Sequence, residues 1–188
     1  MSRGQPDEDT LRAAVALACR APSVHNSQPW RWELGRHSLH LYADRTRGLP
    51  AVDPLGADLI ISCGAALHHL RVGLAALGWR AMVHRLPNPG QPDHLAAVEF
   101  QACEPNESHV ALAAAIPRRR TDRRAYSSWT VPPGIIAQLV SCALAEGVEA
   151  QEVVGRGRDE LLMAVVAAAA AQEADPAYRT EIREWTGV

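Results

Sequence analysis

The sequence predicts an α+β fold: an antiparallel or mixed sheet with flanking helices and one central apolar helix. Three observations predict it. Residues 58–77 are apolar on nearly every side, including Leu59, Ile60, Leu67, Leu70, Val72 and Leu74, and they stop at Gly78, as a core helix does. Four short segments alternate apolar and polar residues with the period of half-buried strands. Neither a low-complexity linker nor a solenoid-type repeat divides the 188 residues, whose 47% apolar and 21% charged content is that of a globular protein with a substantial core.

Taken in order, residues 7–20 place Leu11, Ala14, Val15 and Ala18 at helical spacing, carry Asp and Glu near the start, and meet Pro22 just beyond the end. After a loop, Trp30, Trp32 and Leu34 alternate with Arg31 and Glu33. Across Gly35 and Arg36, Leu39, Leu41 and Ala43 share a face, so two hairpin strands are expected. In the central helix Gly64, Ala65, Ala66, Gly73, Ala75 and Ala76 lack bulk, which lets another helix or a flat ligand approach the backbone. Strands over 80–86 and 95–102 flank a turn-rich segment at 87–92, with Ala96, Val98 and Phe100 on one face. A short Ala-rich helix over 110–116 meets Pro117. Pro132-Pro133-Gly134 then introduces a helix carrying Ile135, Leu139 and Cys142 at i, i+4 and i+7, which Gly147 closes. A strand is expected over 148–154, a strong Ala-rich helix over 159–173 and a weaker one over 176–185.

Composition excludes several function classes. A net charge of -2 argues against nucleic-acid binding by the whole molecule, so any anion site must be local. All 19 basic residues are Arg; the absence of Lys excludes P-loop phosphate binding through Lys, Schiff-base catalysis and a Lys general base. Cys19, Cys63, Cys103 and Cys142 lie far apart with no C-x-x-C pair, so neither a compact zinc site nor a redox dithiol is expected. The opening Met1-Ser2-Arg3-Gly4-Gln5-Pro6 runs into acidic residues without a long apolar core, unlike a secretory signal or membrane span, and a cytoplasmic location follows as the expectation.

Pro22 ends the first helix and Pro29 commits the chain to an extended exit, so residues 21–30 form a loop fixed at both ends. Ser23 offers a hydroxyl, Asn26 and Gln28 each offer a donor and an acceptor, and the loop N–H groups are available to a ligand. Ordinary turn chemistry uses the same residue types. His25 has a side chain suited to acid–base work, yet no carboxylate is placed in the sequence to orient it, and Ser23 and His25 do not make a nucleophile–base pair. No side chain is therefore assigned a catalytic role. His68 and His69, neighbours on a helix, point about 100° apart and are not read as a metal site. Downstream, Arg118, Arg119, Arg120, Arg123 and Arg124 put five guanidinium groups into seven residues, a density suited to a phosphate monoester, to which Thr121 adds a hydroxyl. A solvated charged turn is the alternative reading.

The string Ala21-Pro22-Ser23-Val24-His25-Asn26-Ser27-Gln28-Pro29-Trp30 resembles the flavin-contacting A-P-S-x-x-N-x-Q-P-W loop of the nitroreductase superfamily. Arg119-Arg120-Thr121-Asp122-Arg123, followed by Tyr126, Val131-Pro132 and a helix, is similar to the R-R-S-x-R phosphate-binding opening of the same modules, with Thr replacing Ser. The order, loop first and Arg stretch far downstream, resembles the Acg-type family, in which two nitroreductase-like modules are fused and imitate the dimer of ordinary nitroreductases. The resemblance implies a nitroreductase-like fold with a first module over residues 1-117. It implies the N-terminal part of a second, incomplete and truncated module over 118-188. One FMN is implied between them, contacted by Pro22, Ser23, Val24, His25, Asn26 and Gln28 from the first and by Arg119, Arg120, Thr121 and Arg123 from the second. The chain departs from the family at Gly56-Ala57-Asp58, where members tend to carry Gly-Arg-Glu, and in length, since full members are far longer.

A protein of this family would take a hydride from NAD(P)H onto FMN and pass two electrons to a nitro compound or quinone, the flavin performing the chemistry and the chain positioning it. The leading expectation is thus an FMN-dependent NAD(P)H oxidoreductase with a small-molecule substrate, no nucleic-acid or membrane partner, and self-association of the shorter chain. The alternatives are an FMN-binding or sequestering protein without efficient turnover, and a truncated inactive remnant whose flavin site lies open on one side.

Overall fold

The computed structural model describes residues 4–125 and 127–187; Met1, Ser2 and Arg3 of the opening, Tyr126 of the Arg segment and Val188 lie outside the described residues. Two compact units divide the chain: the residues up to Thr121 together with those from Thr180 onward, and Asp122–Arg179.

In the first unit, β1 (Trp30–Leu34), β2 (Leu39–Ala43), β3 (Trp79–Arg85) and β4 (His94–Ala102) form one antiparallel sheet in the order β1-β2-β4-β3. The β1–β2 hairpin sets Trp32 opposite Leu41 and Glu33 opposite His40. β4 lies between β2 and β3, so Val98 faces Leu39 on one side and Val83 on the other. The strand period shows in burial: Leu39, Leu41 and Ala43 of β2 and His94, Ala96 and Val98 of β4 are all turned inward. Leu34 departs from the face expected of it. Trp30 is buried and Trp32 packs on the core, but Leu34 at the end of an edge strand is 61% exposed. An open groove of about 450 Å³, lined by Leu11, Val15, Trp32 and Leu34, leaves its side chain uncovered.

Among the described residues, three α-helices lie wholly within this unit. α1 (Glu8–Ala18) begins where the Asp7 carboxylate accepts the Thr10 N–H at 2.7 Å, with Glu8 and Asp9 in the first turn to complement the helix dipole. α2 (Ala57–Ala76) begins after Gly56, whose φ of 72° is a left-handed conformation suited to glycine, and the Asp53 carboxylate accepts the Leu59 N–H at 2.8 Å. It buries Leu59, Cys63, Ala66, Leu67, Leu70 and Leu74 in a cluster shared with Ala14 and Ala18 of α1 and the inner faces of β2 and β4. By length and composition α2 would suffice to cross a membrane, yet half of its most apolar window is buried inside the protein, which makes it a core helix. The small residues serve close packing at one place: a Cβ on Gly73 would come within 3.1 Å of Leu17 Cδ1 and 3.6 Å of Ala14 Cα, so α1 crosses α2 there. Gly64 instead faces open space. α3 (Glu107–Ala115) is capped by Asn106, whose side chain accepts the His109 N–H at 2.8 Å.

The second unit holds α4 (Pro133–Ala145), α5 (Arg156–Ala174) and the start of α6 (Pro176–Thr186), whose residues from Thr180 belong to the first unit. Residues 148–154, expected as a strand, form none. Among the described residues of this unit there is no other strand to pair with, and an isolated strand would leave its backbone donors and acceptors unmatched.

On the sheet, His40 Nδ1 and His94 Nε2 lie 3.0 Å apart and share a hydrogen bond, and Ser38 Oγ sits 2.9 Å from His40 Nε2. Tyr42 stacks on His94 at 4.5 Å, beside a register shift between Leu41 and Tyr42. Burial, and next the neighbouring His40, push the His94 pKa below its ordinary 6.5. The folded state therefore binds fewer protons than the unfolded chain as pH falls below 6.5, and stability present at neutral pH is lost through that range. His69, lowered first by burial, acts with the same sign.

Two predictions follow from this packing. Gly73→Val forces α1 away from α2 and costs about 1–3 kcal/mol in urea unfolding, whereas Gly64→Ala gains up to about 1 kcal/mol from helix propensity. The melting temperature falls between pH 7.5 and pH 5.5, and His94→Gln flattens part of that slope, as read by circular dichroism melts at the two pH values.

Candidate functional site

α1 ends with the Ala21 N–H donating to the Ala18 carbonyl at 3.0 Å, and the loop continues through a single 3-10 turn at Val24–Asn26. His25, Asn26 and Gln28 have φ of 48°, 57° and 51°; among the described residues, Leu86 is the only other non-glycine residue with positive φ. Left-handed backbone is costly for residues with a Cβ, and its concentration here marks the loop as strained. Local bonds hold it: the Gln28 N–H donates to Ser23 Oγ at 3.0 Å, Gln28 Nε2 to Asn26 Oδ1 at 3.4 Å, and the Trp30 N–H to the Gln28 carbonyl at 2.9 Å. Pro22 and Asn26 are exposed, Ser23, Val24, His25 and Gln28 half-buried, and Ser27 is buried.

The loop's exit is tied to the core. The Pro29 carbonyl accepts the Asp44 N–H at 3.0 Å and the Cys63 thiol at 3.1 Å. Burial pushes the Cys63 thiol up to about 12, against a weaker opposing pull from Arg45, so at neutral pH the sulfur keeps its proton and remains a donor. Arg47, which the sequence reading did not single out, donates from Nε to the Ser27 carbonyl. No spacing rule links position 47 to position 27; the contact arises because β2 returns the chain to the loop.

The Arg cluster disperses. Arg119 reaches the loop's starting point: Nη2 lies 3.4 Å from the Arg20 carbonyl, and Nη1 donates to Thr121 Oγ1 at 3.1 Å. Among the described residues no carboxylate pairs with Arg119. Arg120 turns onto its own backbone, with Nη1 3.0 Å from the Pro117 carbonyl and 2.8 Å from that of Arg119, and Arg118 Nε donates to the Ala114 carbonyl at 3.1 Å. Arg124 bonds Asp122 through Nε at 2.9 Å, a contact that holds the Asp122 carboxyl below its ordinary range. Arg123 belongs to the second unit, while Arg119, Arg120 and Thr121 belong to the first with the loop.

Beside Arg119 lies a cavity of about 190 Å³ between α2 and α3, lined by His68, His69, Val72, Leu112, Ile116 and Arg119. Among the described residues the buried His69 Nδ1 has no hydrogen-bond partner, and burial, then His68, then Arg119 lower the pKa of its ring. The sequence placed His68 and His69 on different sides of a helix; their ring centroids are 6.3 Å apart. What the pattern did not reveal is that α3 returns Arg119 to this point.

No protein-family model matches the chain. It is 48% identical over 183 residues to a Mycobacterium tuberculosis H37Rv protein provisionally named NAD(P)H nitroreductase Rv3131, a match covering 97% of this chain and 52% of that one. It is 40% identical over 183 residues to the provisionally named NAD(P)H nitroreductase acg of the same strain, covering 95% of this chain and 54% of that one. The chain thus spans about half the length of the curated relatives it matches. A solved structure provisionally named NADH oxidase, from Clostridium acetobutylicum, is 13% identical and aligns with a TM-score of 0.46 over 56% of this chain and 82% of that one. The two matches run over nearly the whole of this chain, and along that length it is similar to relatives provisionally named NAD(P)H nitroreductases, acg among them.

Proposed function

We propose that this chain binds FMN and serves NAD(P)H-dependent two-electron reduction of nitro compounds or quinones. One observation carries the reading: the Arg119 guanidinium, without a carboxylate partner among the described residues, lies against the carbonyl of Arg20, immediately before the Ala21–Trp30 loop. A phosphate-type donor and the start of the loop therefore lie beside one another in one unit.

The residues fit the group. Asn26 and Gln28 with the loop backbone present the mixture of donors and acceptors that a flavin pyrimidine edge needs, and Pro22, Ser23, Val24 and His25 shape the wall beside them. Arg119 and Thr121 offer a guanidinium and a hydroxyl to a phosphate monoester. Arg120 joins them by releasing the Pro117 and Arg119 carbonyls, and Arg123 is assigned by family resemblance. FMN, when bound, supplies the hydride acceptor and the two-electron donor; the chain's own part is to hold and orient it, with no side chain acting as acid or base. The relatives' names support NAD(P)H as donor and nitro reduction as outcome. The same reading takes residues 118–188 as the opening of a second module and places the protein in the cytoplasm with a small-molecule substrate. It also has the chain self-associate, for which the exposed Ile60 and Ile61 on α2 give support.

Thermal melting with and without FMN tests the reading. At a free concentration a hundredfold above Kd, FMN adds about 2.7 kcal/mol of apparent stability. Arg119→Gln weakens binding by about tenfold to a hundredfold, the loss of one charge-assisted bond. An unchanged melt at saturating FMN sinks the proposal, and a shift without NAD(P)H oxidation selects an FMN-holding protein over an enzyme.

A further inference from the structure

We propose that Arg47 is the positioning residue of the Ala21–Trp30 loop, and that the end of α6 clamps Arg47 in place. The inference rests on the FMN reading only for the identity of the loop's ligand. The loop's three left-handed residues, His25, Asn26 and Gln28, surround one peptide group, that joining Ser27 to Gln28. Its carbonyl belongs to buried Ser27 and accepts from Arg47 Nε. Strained backbone persists where its surroundings over-determine it, and here the bond from outside the loop falls in the middle of the strained run.

Arg47 is itself gripped. Its guanidinium carbon lies 5.9 Å from the ring centroid of Trp185 on α6, within the range of a cation–π contact. Glu181, one helical turn earlier, accepts the Val52 N–H at 2.8 Å and the Ala51 N–H at 3.1 Å through the same carboxylate oxygen. Glu181 and Trp185 stand at i and i+4, so one face of α6 holds both ends of the 47–52 segment. Among the described residues no carboxylate pairs with Arg47; its charge is directed to the Trp185 ring and the Ser27 carbonyl. The contacts run from α6 through Arg47 to the peptide joining Ser27 to Gln28, all within the first unit. Coupling of this kind is reciprocal: what occupies the loop also tightens the end of α6.

The test uses the full chain with Arg47→Met, Trp185→Ala, Trp185→Phe and Glu181→Ala. Hydrogen exchange by mass spectrometry is read on ligand-free protein, independently of FMN. The expected result is at least tenfold faster exchange at the Gln28 and Trp30 amides in Arg47→Met and Trp185→Ala, with Trp185→Phe, which keeps an aromatic face, returned close to wild type. Glu181→Ala speeds exchange at Ala51 and Val52 first and in the loop as a consequence. With FMN as probe, the same variants weaken binding by about tenfold and alter the visible absorption of bound flavin, and Trp185→Phe restores both. Loop exchange at the wild-type rate in Arg47→Met overturns the positioning role. Faster exchange confined to α6 in Trp185→Ala overturns the clamp. Should Arg47→Met fail to fold, Trp185→Ala at the half-buried ring carries the decision. If wild-type protein takes up no FMN, the proposed function fails while the exchange experiment still decides this inference.

Discussion

Gly73 lets α1 cross α2 in backbone contact, and Cys63, further up the same helix, donates its thiol proton to the carbonyl of Pro29. The segment joining α1 to β1 therefore starts from a helix packed on α2 and ends on a hydrogen bond from α2. Much else follows from that fastening. A loop with both ends anchored to the most buried helix has little room to relax, which is how His25, Asn26 and Gln28 come to stay in left-handed backbone. The raised pKa of Cys63 belongs to the same constraint, because the burial that keeps its proton in place keeps the anchoring donor in place as well.

The parts legible in the sequence were those governed by period and by covalent geometry. α2 could be read from unbroken apolarity, the hairpin and β4 from alternation, and the loop limits from Pro22 and Pro29. The contact of α1 at Gly73 was legible as lack of bulk, though the same lack of bulk at Gly64 meets open space, and only the packing tells them apart. Alternation likewise could not tell that Leu34 lies beyond the cover of α1, nor could apolar residues at 148–154 announce that they have no strand to pair with. The left-handed residues were invisible because none is glycine, and the grip of Arg47 on Ser27 is a tertiary contact that no local pattern encodes.

Density of charge is not convergence of charge. Five guanidinium groups in seven residues suggested a single anion cradle, but adjacent side chains on a turn diverge, and three of the five take acceptors close by in sequence. Arg118 and Arg120 satisfy carbonyls of their own segment and Arg124 takes a carboxylate two residues away. Arg119 and Arg123 remain; Arg123 belongs to the second unit, and the position of Arg119 against Arg20 and His69 comes from the packing of α3 on α2 rather than from its neighbours in sequence. The local electrostatics are those of one guanidinium beside a histidine whose pKa burial lowers, a smaller and more directional positive charge than the sequence run suggests.

The strand order β1-β2-β4-β3 leaves two edges with unpaired backbone donors and acceptors, each a template onto which a strand of another molecule could be added. Both edges carry charge where such a strand would lie. Arg31 on β1 is paired with Glu33 and stacked over Tyr42, and β3 bears Arg80 and Arg85 around the exposed Met82. An incoming strand would have to desolvate or displace these groups before gaining its first ladder bond. The charges along the rims of the sheet thus oppose edge-to-edge pairing while, as exposed groups, contributing little to the stability of the fold.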